Sequence, residues 1–233
     1  MRKTVVLYSN LWATVFMLVM FLISGLSGSR VPGSGTTSGL QHLKGRVIVL
    51  DPGHGGGDPG TVGVGPTPEA ENVLAIAWEL KSMLEKAGAE VILTRQNDSS
   101  PAWGTIYAAQ ENGQLAARVA AANRSRGQVF LSLHNDWHEE SSVRGSSTHY
   151  FKSADLALAE ALQRSLVSRL RTADLGVKRS SFYVLRNTSM PAALVEIGFL
   201  SNPEEAARLS QPTYRLEVAR ALLMGLNDYF ALF

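Results

Sequence analysis

Three apolar, strand-like runs of this chain end in groups able to hold a metal or move a proton. Val47-Ile48-Val49-Leu50 leads into Asp51-Pro52-Gly53-His54-Gly55-Gly56, so one imidazole stands at the tip of a glycine-rich turn. Glycine admits positive φ and leaves no side chain in the way of whatever the imidazole contacts. Val129-Phe130-Leu131-Ser132-Leu133 ends in His134, and Ala193-Leu194-Val195 ends in Glu196. Catalytic zinc takes three protein ligands from His and Asp/Glu and keeps one position for water. His54 and His134 are candidates for two of them. Glu69, at the start of the next periodic stretch, is favoured as the third, with Glu71 a rival if the helix register differs. Asp58 is another possibility, although Asp58-Pro59-Gly60 reads as turn chemistry.

Glu196 stands apart because the pattern around it calls for an apolar core residue. Burying a carboxylate costs several kcal/mol unless it is paired or put to use. Its uses are an ion pair with an arginine such as Arg118 or Arg186, or general acid/base work on a zinc-activated water. His138 lies four residues past His134, but His134-Asn135-Asp136-Trp137-His138 lacks the glutamate of an HExxH zinc helix. It reads as exposed loop, and His149 as a strand-surface residue at the rim of the cleft.

These groups need a frame, and the chain supplies one from residue 44 onward. Strand patterns at Val47–Asp51, Glu90–Thr94, Val129–His134, Thr148–Phe151, Tyr183–Leu185 and Ala193–Ile197 are separated by helical periodicities. Val73, Ile76, Ala77, Leu80, Met83, Leu84 and Ala87 mark the first helix. Leu115–Ala122, Leu158–Leu170 and Val218–Tyr229 mark three more, and residues 97–109 read as a surface loop. The alternation predicts a three-layer α/β domain: a central, mostly parallel or mixed twisted sheet of about six strands, with helices on both faces.

Ahead of the domain no charged residue occurs between Lys3 and Arg30, and Leu11–Ile23 is nearly all apolar. That is the layout of a signal peptide or signal anchor over residues 1–29, followed by a Gly/Ser/Thr-rich linker over 30–43 and a catalytic domain over 44–233. Removing Arg2 and Lys3 from the 22 basic residues leaves 20, against 20 acidic ones. The working domain is therefore near neutral, with no nucleic-acid footprint. The chain has no cysteine, which excludes a thiol nucleophile and any thiolate metal site.

Over roughly Gly45–Phe230 the sequence resembles the zinc-dependent N-acetylmuramoyl-L-alanine amidases of the amidase-3 type. The resemblance rests on Asp51–Gly56 with Asp58-Pro59-Gly60, Glu69, Ser132-Leu133-His134-Asn135, and Val195-Glu196-Ile197-Gly198-Phe199-Leu200-Ser201-Asn202. Arg118, Asn123 and Gly145 fit lesser family positions. It implies that His54, Glu69 and His134 bind Zn2+, and that Glu196 is the catalytic acid/base. The implied reaction is hydrolysis of the amide between muramic acid and the L-alanine of the stem peptide. Peptidoglycan is then the partner, met outside the cytoplasm, with the membrane engaged through the N-terminal segment if that segment is retained. A short chain with one hydrophobic segment also resembles the spore-cortex branch. A catalytically silent wall-binding module and a glycan deacetylase are the competing readings.

Overall fold

The computed structural model describes residues 39–233, a compact unit running from Gly39 to Phe233. The apolar segment expected to direct export, and the linker as far as residue 38, lie outside the described residues. Among the described residues no helix is long and apolar enough to cross a membrane. Of the stretch expected as linker, Gln41–Leu43 forms a single 3-10 turn whose Leu43 is fully buried in the core.

Six strands form one mixed sheet in the order β2-β1-β3-β6-β4-β5. They are β1 (Val47–Pro52), β2 (Glu90–Leu93), β3 (Val129–Asp136), β4 (Ser146–Tyr150), β5 (Asp174–Arg179) and β6 (Ala192–Phe199). β1 pairs in parallel with β2 and β3, and β3 with β6, whereas β4 runs antiparallel to β6 and parallel to β5. The carboxyl ends of β1, β3 and β6 therefore meet at one edge, where ligand sites form in open α/β sheets.

The interior strands are apolar on both faces because helices cover both. Ile48, Leu50, Leu131, Leu133, Ala193 and Val195 pack on one side against α1 (Glu69–Lys86), α3 (Leu156–Leu170) and α6 (Pro212–Phe230). Val49, Phe130, Ala192 and Leu194 point the other way, towards α2 (Gly113–Arg124) and α4 (Tyr183–Asn187). The two-residue alternation of a strand sorts its side chains between these layers. On the α2/α4 side the same alternation places Asp51, Ser132, His134 and Glu196 beyond the apolar residues, at the carboxyl edge.

Two elements differ from the pattern reading. Tyr183–Leu185, expected as a strand, opens the one-and-a-half-turn helix α4. The fifth strand is instead Asp174–Arg179, an edge strand with a half-buried, half-exposed pattern and a glycine at 176. An edge strand lacks the continuous apolar run of a central one, and its charges blunt the open edge. A further helix, α5 (Pro203–Leu209), is capped by the Asn202 side chain, which accepts hydrogen bonds from the Glu204 and Glu205 amides.

Candidate metal and acid–base site

The turn after β1 is built so that two rings and a carboxylate can touch. His54 sits at φ 59°, a left-handed conformation that costs a non-glycine residue about 1–2 kcal/mol. Gly53 and Gly60 are required by close approach: a Cβ at Gly53 would lie 2.3 Å from the His134 ring, and one at Gly60 would lie 2.7 Å from Glu69 Oε2 and from the His54 ring. The strain at His54 is held by two buried guanidinium groups. Arg95 donates to the carbonyls of Pro52 (2.9 Å), Gly53 (2.8 Å) and Ala70 (2.7 Å), tying the turn to the first residues of α1. Arg118 donates to the Pro52 carbonyl (2.8 Å) and to that of His54.

Arg118 is also the partner of Asp51, at 2.6 Å with both side chains almost fully buried. Thr94 and Ser132 hydroxyls complete the carboxylate's shell at 2.6 and 2.7 Å. Burial alone would raise the Asp51 carboxyl, but the Arg118 charge and these donors outweigh it and hold it below the usual carboxylate range. Removing one partner of a buried pair strands the other, at a cost of about 3–5 kcal/mol. Arg118→Ala is accordingly expected to lose most of the fold's stability in urea titrations, while a loss under 1 kcal/mol would mean that water replaces the guanidinium freely.

Within this frame one ligand atom each of His54, Glu69 and His134 lie inside 4.8 Å of one another. Glu69 Oε1 is 3.0 Å from His54 Nε2 and 2.9 Å from His134 Nδ1. The Asn135 and Thr61 amides donate to the two Glu69 oxygens at 3.0 and 2.9 Å, fixing the carboxylate's plane. Burial opposes its charge, yet the hydrogen bonds and charge of the two imidazoles keep the Glu69 carboxyl far below its ordinary value. Burial likewise pushes His54 down, while bonds to Glu69 and Asp58 outweigh it and raise the ring. Asp58 Oδ2 lies 2.9 Å from His54 Nδ1 and Oδ1 accepts the Gly60 amide at 3.0 Å, so Asp58 makes the expected turn and also orients the imidazole. Glu71, the rival to Glu69, is exposed on α1 and lies outside the cluster.

Glu196 stands beside His134 in the β3–β6 register and lines the same cleft of about 590 Å³ as His54 and His134. Its Oε2 is buried without a hydrogen-bond partner. Neither arginine considered as its counter-ion reaches it: Arg118 is committed to Asp51, and Arg186 donates to Ser181 Oγ at 3.2 Å. Burial pushes the Glu196 carboxyl well above the ordinary range, and the negative charges of Asp136 and Glu69 push it further. A buried carboxyl with one unpartnered oxygen thus stands across one strand spacing from a cluster of two imidazoles and a carboxylate.

His138 is exposed in the loop after β3, its ring accepting the Glu140 amide. His149 is buried rather than on the strand surface. Its Nδ1 is 2.7 Å from Ser180 Oγ and its Nε2 3.2 Å from Ser147 Oγ, and burial and Lys178 depress its pKa to about 4, so it is neutral. The reading from pattern missed Arg95, whose partners are backbone carbonyls and leave no trace in residue spacing.

The sequence matches the amidase-3 family, described as N-acetylmuramoyl-L-alanine amidase, over residues 48–228. It is 36% identical over 191 residues to the "Probable cell wall amidase LytH" of Staphylococcus saprophyticus, covering 81% of this chain and 60% of that protein. It is 34% identical over 193 residues to the germination-specific N-acetylmuramoyl-L-alanine amidase of Bacillus subtilis, covering 81% of each. Among solved structures, the CwlD amidase of Clostridioides difficile in complex with the GerS lipoprotein superposes with a TM-score of 0.74 at 32% identity, over 81% of this chain and 100% of that one. The chain thus spans only 60% of the length of the staphylococcal relative. On the match over residues 48–228, the chain belongs to the amidase-3 family of N-acetylmuramoyl-L-alanine amidases.

Proposed function

We propose that the chain hydrolyses the amide between N-acetylmuramic acid and L-alanine in peptidoglycan, using zinc held by His54, Glu69 and His134 and Glu196 as acid/base. The observation that carries the reading is the unpaired Glu196 carboxyl in the same cleft as the three-donor cluster. The donors suit zinc: two imidazoles and one carboxylate, with no thiolate in the chain. Zinc, when bound, supplies Lewis acidity towards the scissile carbonyl and lowers the pKa of a coordinated water.

The chain's own residues do the rest. Asp58 fixes the His54 ring so that Nε2 faces the metal position, the arrangement by which outer carboxylates orient metal-binding histidines. Glu196 takes the proton from the attacking water and passes it to the departing amine nitrogen, so one carboxyl serves both transfers and no covalent intermediate is needed. Work on a wall polymer places the domain outside the cytoplasmic membrane, with residues 1–29 as signal or anchor and 30–43 as tether. The name of the Bacillus relative favours wall or spore-cortex remodelling.

Mass analysis of peptidoglycan digested with the purified protein is the test. New alanine amino termini are expected. Release of acetate would make the chain a deacetylase, and no product at all would leave a binding module. On the ligand set, Glu69→Gln is expected to weaken zinc binding at least tenfold in competition with a chelator, and Glu71→Gln to leave it unchanged. The opposite order would move the ligand to Glu71.

A further inference from the structure

The cleft has two unlike walls. One is the connection between β2 and α2, residues 94–112, far longer than the usual two to six residues and held by its own turns. Between Arg95 and Arg118 it carries no cation, only Asp98 and Glu111. It presents Ser100, Gln110, Glu111 and Asn112 to the cleft. The other wall follows β5. Phe182 and Tyr183 line the cleft there, with Phe182 resting edge-on against His149 at 5.2 Å. Lys178, paired with His149 across β4 and β5, is exposed on the same face of the sheet. Arg186 is also exposed, and it donates to the Oγ of Ser181, the residue before Phe182, at 3.2 Å. The sequence from 175 to 195 holds Lys178, Arg179 and Arg186 and no acidic residue, and the acidic group nearest this end of the cleft is Asp136, at the end of β3.

Sheet order orients a substrate between these walls. The three-donor cluster sits over the ends of β1 and β3, and Glu196 over β6, one strand nearer β4 and β5. A group that must receive its proton from Glu196 leaves on the β6 side. We propose, building on the amidase reading, that the cleaved peptide lies over β6, β4 and β5 beside Phe182, its carboxylates held by Lys178 and Arg186, while the sugar lies under residues 96–112, which carry no cation. The charge of the walls and the position of Glu196 are separate observations that give the same direction. The positive field of Lys178 also reaches both Glu196 and His149, consistent with its place at this end of the cleft.

Equilibrium binding to the full-length protein tests this without turnover. The probes are a short alanyl peptide with two free carboxylates, the same peptide with both amidated, and a peptide-free disaccharide of the wall glycan. Lys178→Glu should weaken the dicarboxylate about fivefold, the upper range for one exposed ion pair, and the double variant Lys178→Glu/Arg186→Glu about twentyfold. The diamide and the disaccharide should respond to neither. The difference should collapse in 1 M salt, where the screening length is about 3 Å. Lys86→Glu, on α1 on the other side of the sheet, makes the same charge change and should do nothing. Dicarboxylate binding that is absent in the wild type, or unchanged in the double variant, overturns the proposal. Loss of disaccharide binding in place of peptide binding would reverse the orientation. A protein that shows the expected binding pattern yet releases no amino termini from peptidoglycan would keep this subsite and refute the amidase reading instead.

Discussion

Replacing His134 by alanine, or His54 by glycine, is expected to abolish metal binding and reduce amide cleavage to background while leaving a folded protein. The two positions make this separable from misfolding. His134 is a fifth exposed, so its ring contributes little to the core. His54 is held in a left-handed conformation that glycine adopts freely. His54→Gly relieves that strain but removes the ring's bonds to Glu69 and Asp58, so in chelator it should be less stable than the parent yet still unfold cooperatively. The cluster loses one of its three donor groups in either variant, and the remaining pair falls short of the three protein ligands that a catalytic zinc site takes. Elemental analysis against protein concentration gives the answer directly. One zinc per chain retained in the double variant, with cleavage intact, would place the metal elsewhere or remove it from the chemistry.

How far residues alone reveal such a site depends on which contacts leave a pattern. His54, His134 and Glu196 were visible because each interrupts or ends an apolar run, and the parallel pairing of β1, β3 and β6 then brings those ends to one edge. Glu69 was legible only as a choice between helix registers, since a carboxylate at a helix start also satisfies the helix dipole. Its side chain points inward only because α1 begins at 69, where the Glu69 and Ala70 amides donate to the carbonyls of Thr61 and Pro59. β5 was hidden because an edge strand of Asp-Leu-Gly-Val-Lys-Arg has neither an apolar run nor a clean alternation. Tyr183–Leu185 has strand-like residues but packs Val184 and Leu185 against Val119 and Ala122 of α2 as a short helix, a case of tertiary contacts overriding propensity. The arginine clamp on the His54 turn was illegible for another reason: guanidinium-to-carbonyl bonds depend on where the chain folds, and any arginine could make them.

Glu196→Gln is expected to lower amide cleavage by about 10²–10⁴-fold, the usual contribution of general acid/base catalysis. Glutamine keeps the shape and loses the basicity, so metal content should not change. The stability effect has the opposite sign to the activity effect, and this distinguishes catalysis from a structural role. The carboxyl's folded-state pKa is raised by burial and by Asp136 and Glu69. A raised pKa means that the folded state binds the proton more tightly than the unfolded chain. Below the unfolded value of about 4.3 both states are protonated and Glu196 costs nothing electrostatically. As pH climbs towards the folded value, the unfolded chain ionises first and stability is lost. In chelator, Glu196→Gln should then match the parent near pH 4 and exceed it at pH 7, with the gap opening between. A structural ion-pair member would behave in reverse, with glutamine less stable at neutral pH and the gap closing in acid. Unfolding curves at the two pH values, read alongside cleavage rates, therefore decide the role of this residue. A glutamine variant that is folded, zinc-loaded and fully active would end the acid/base assignment whatever the curves show.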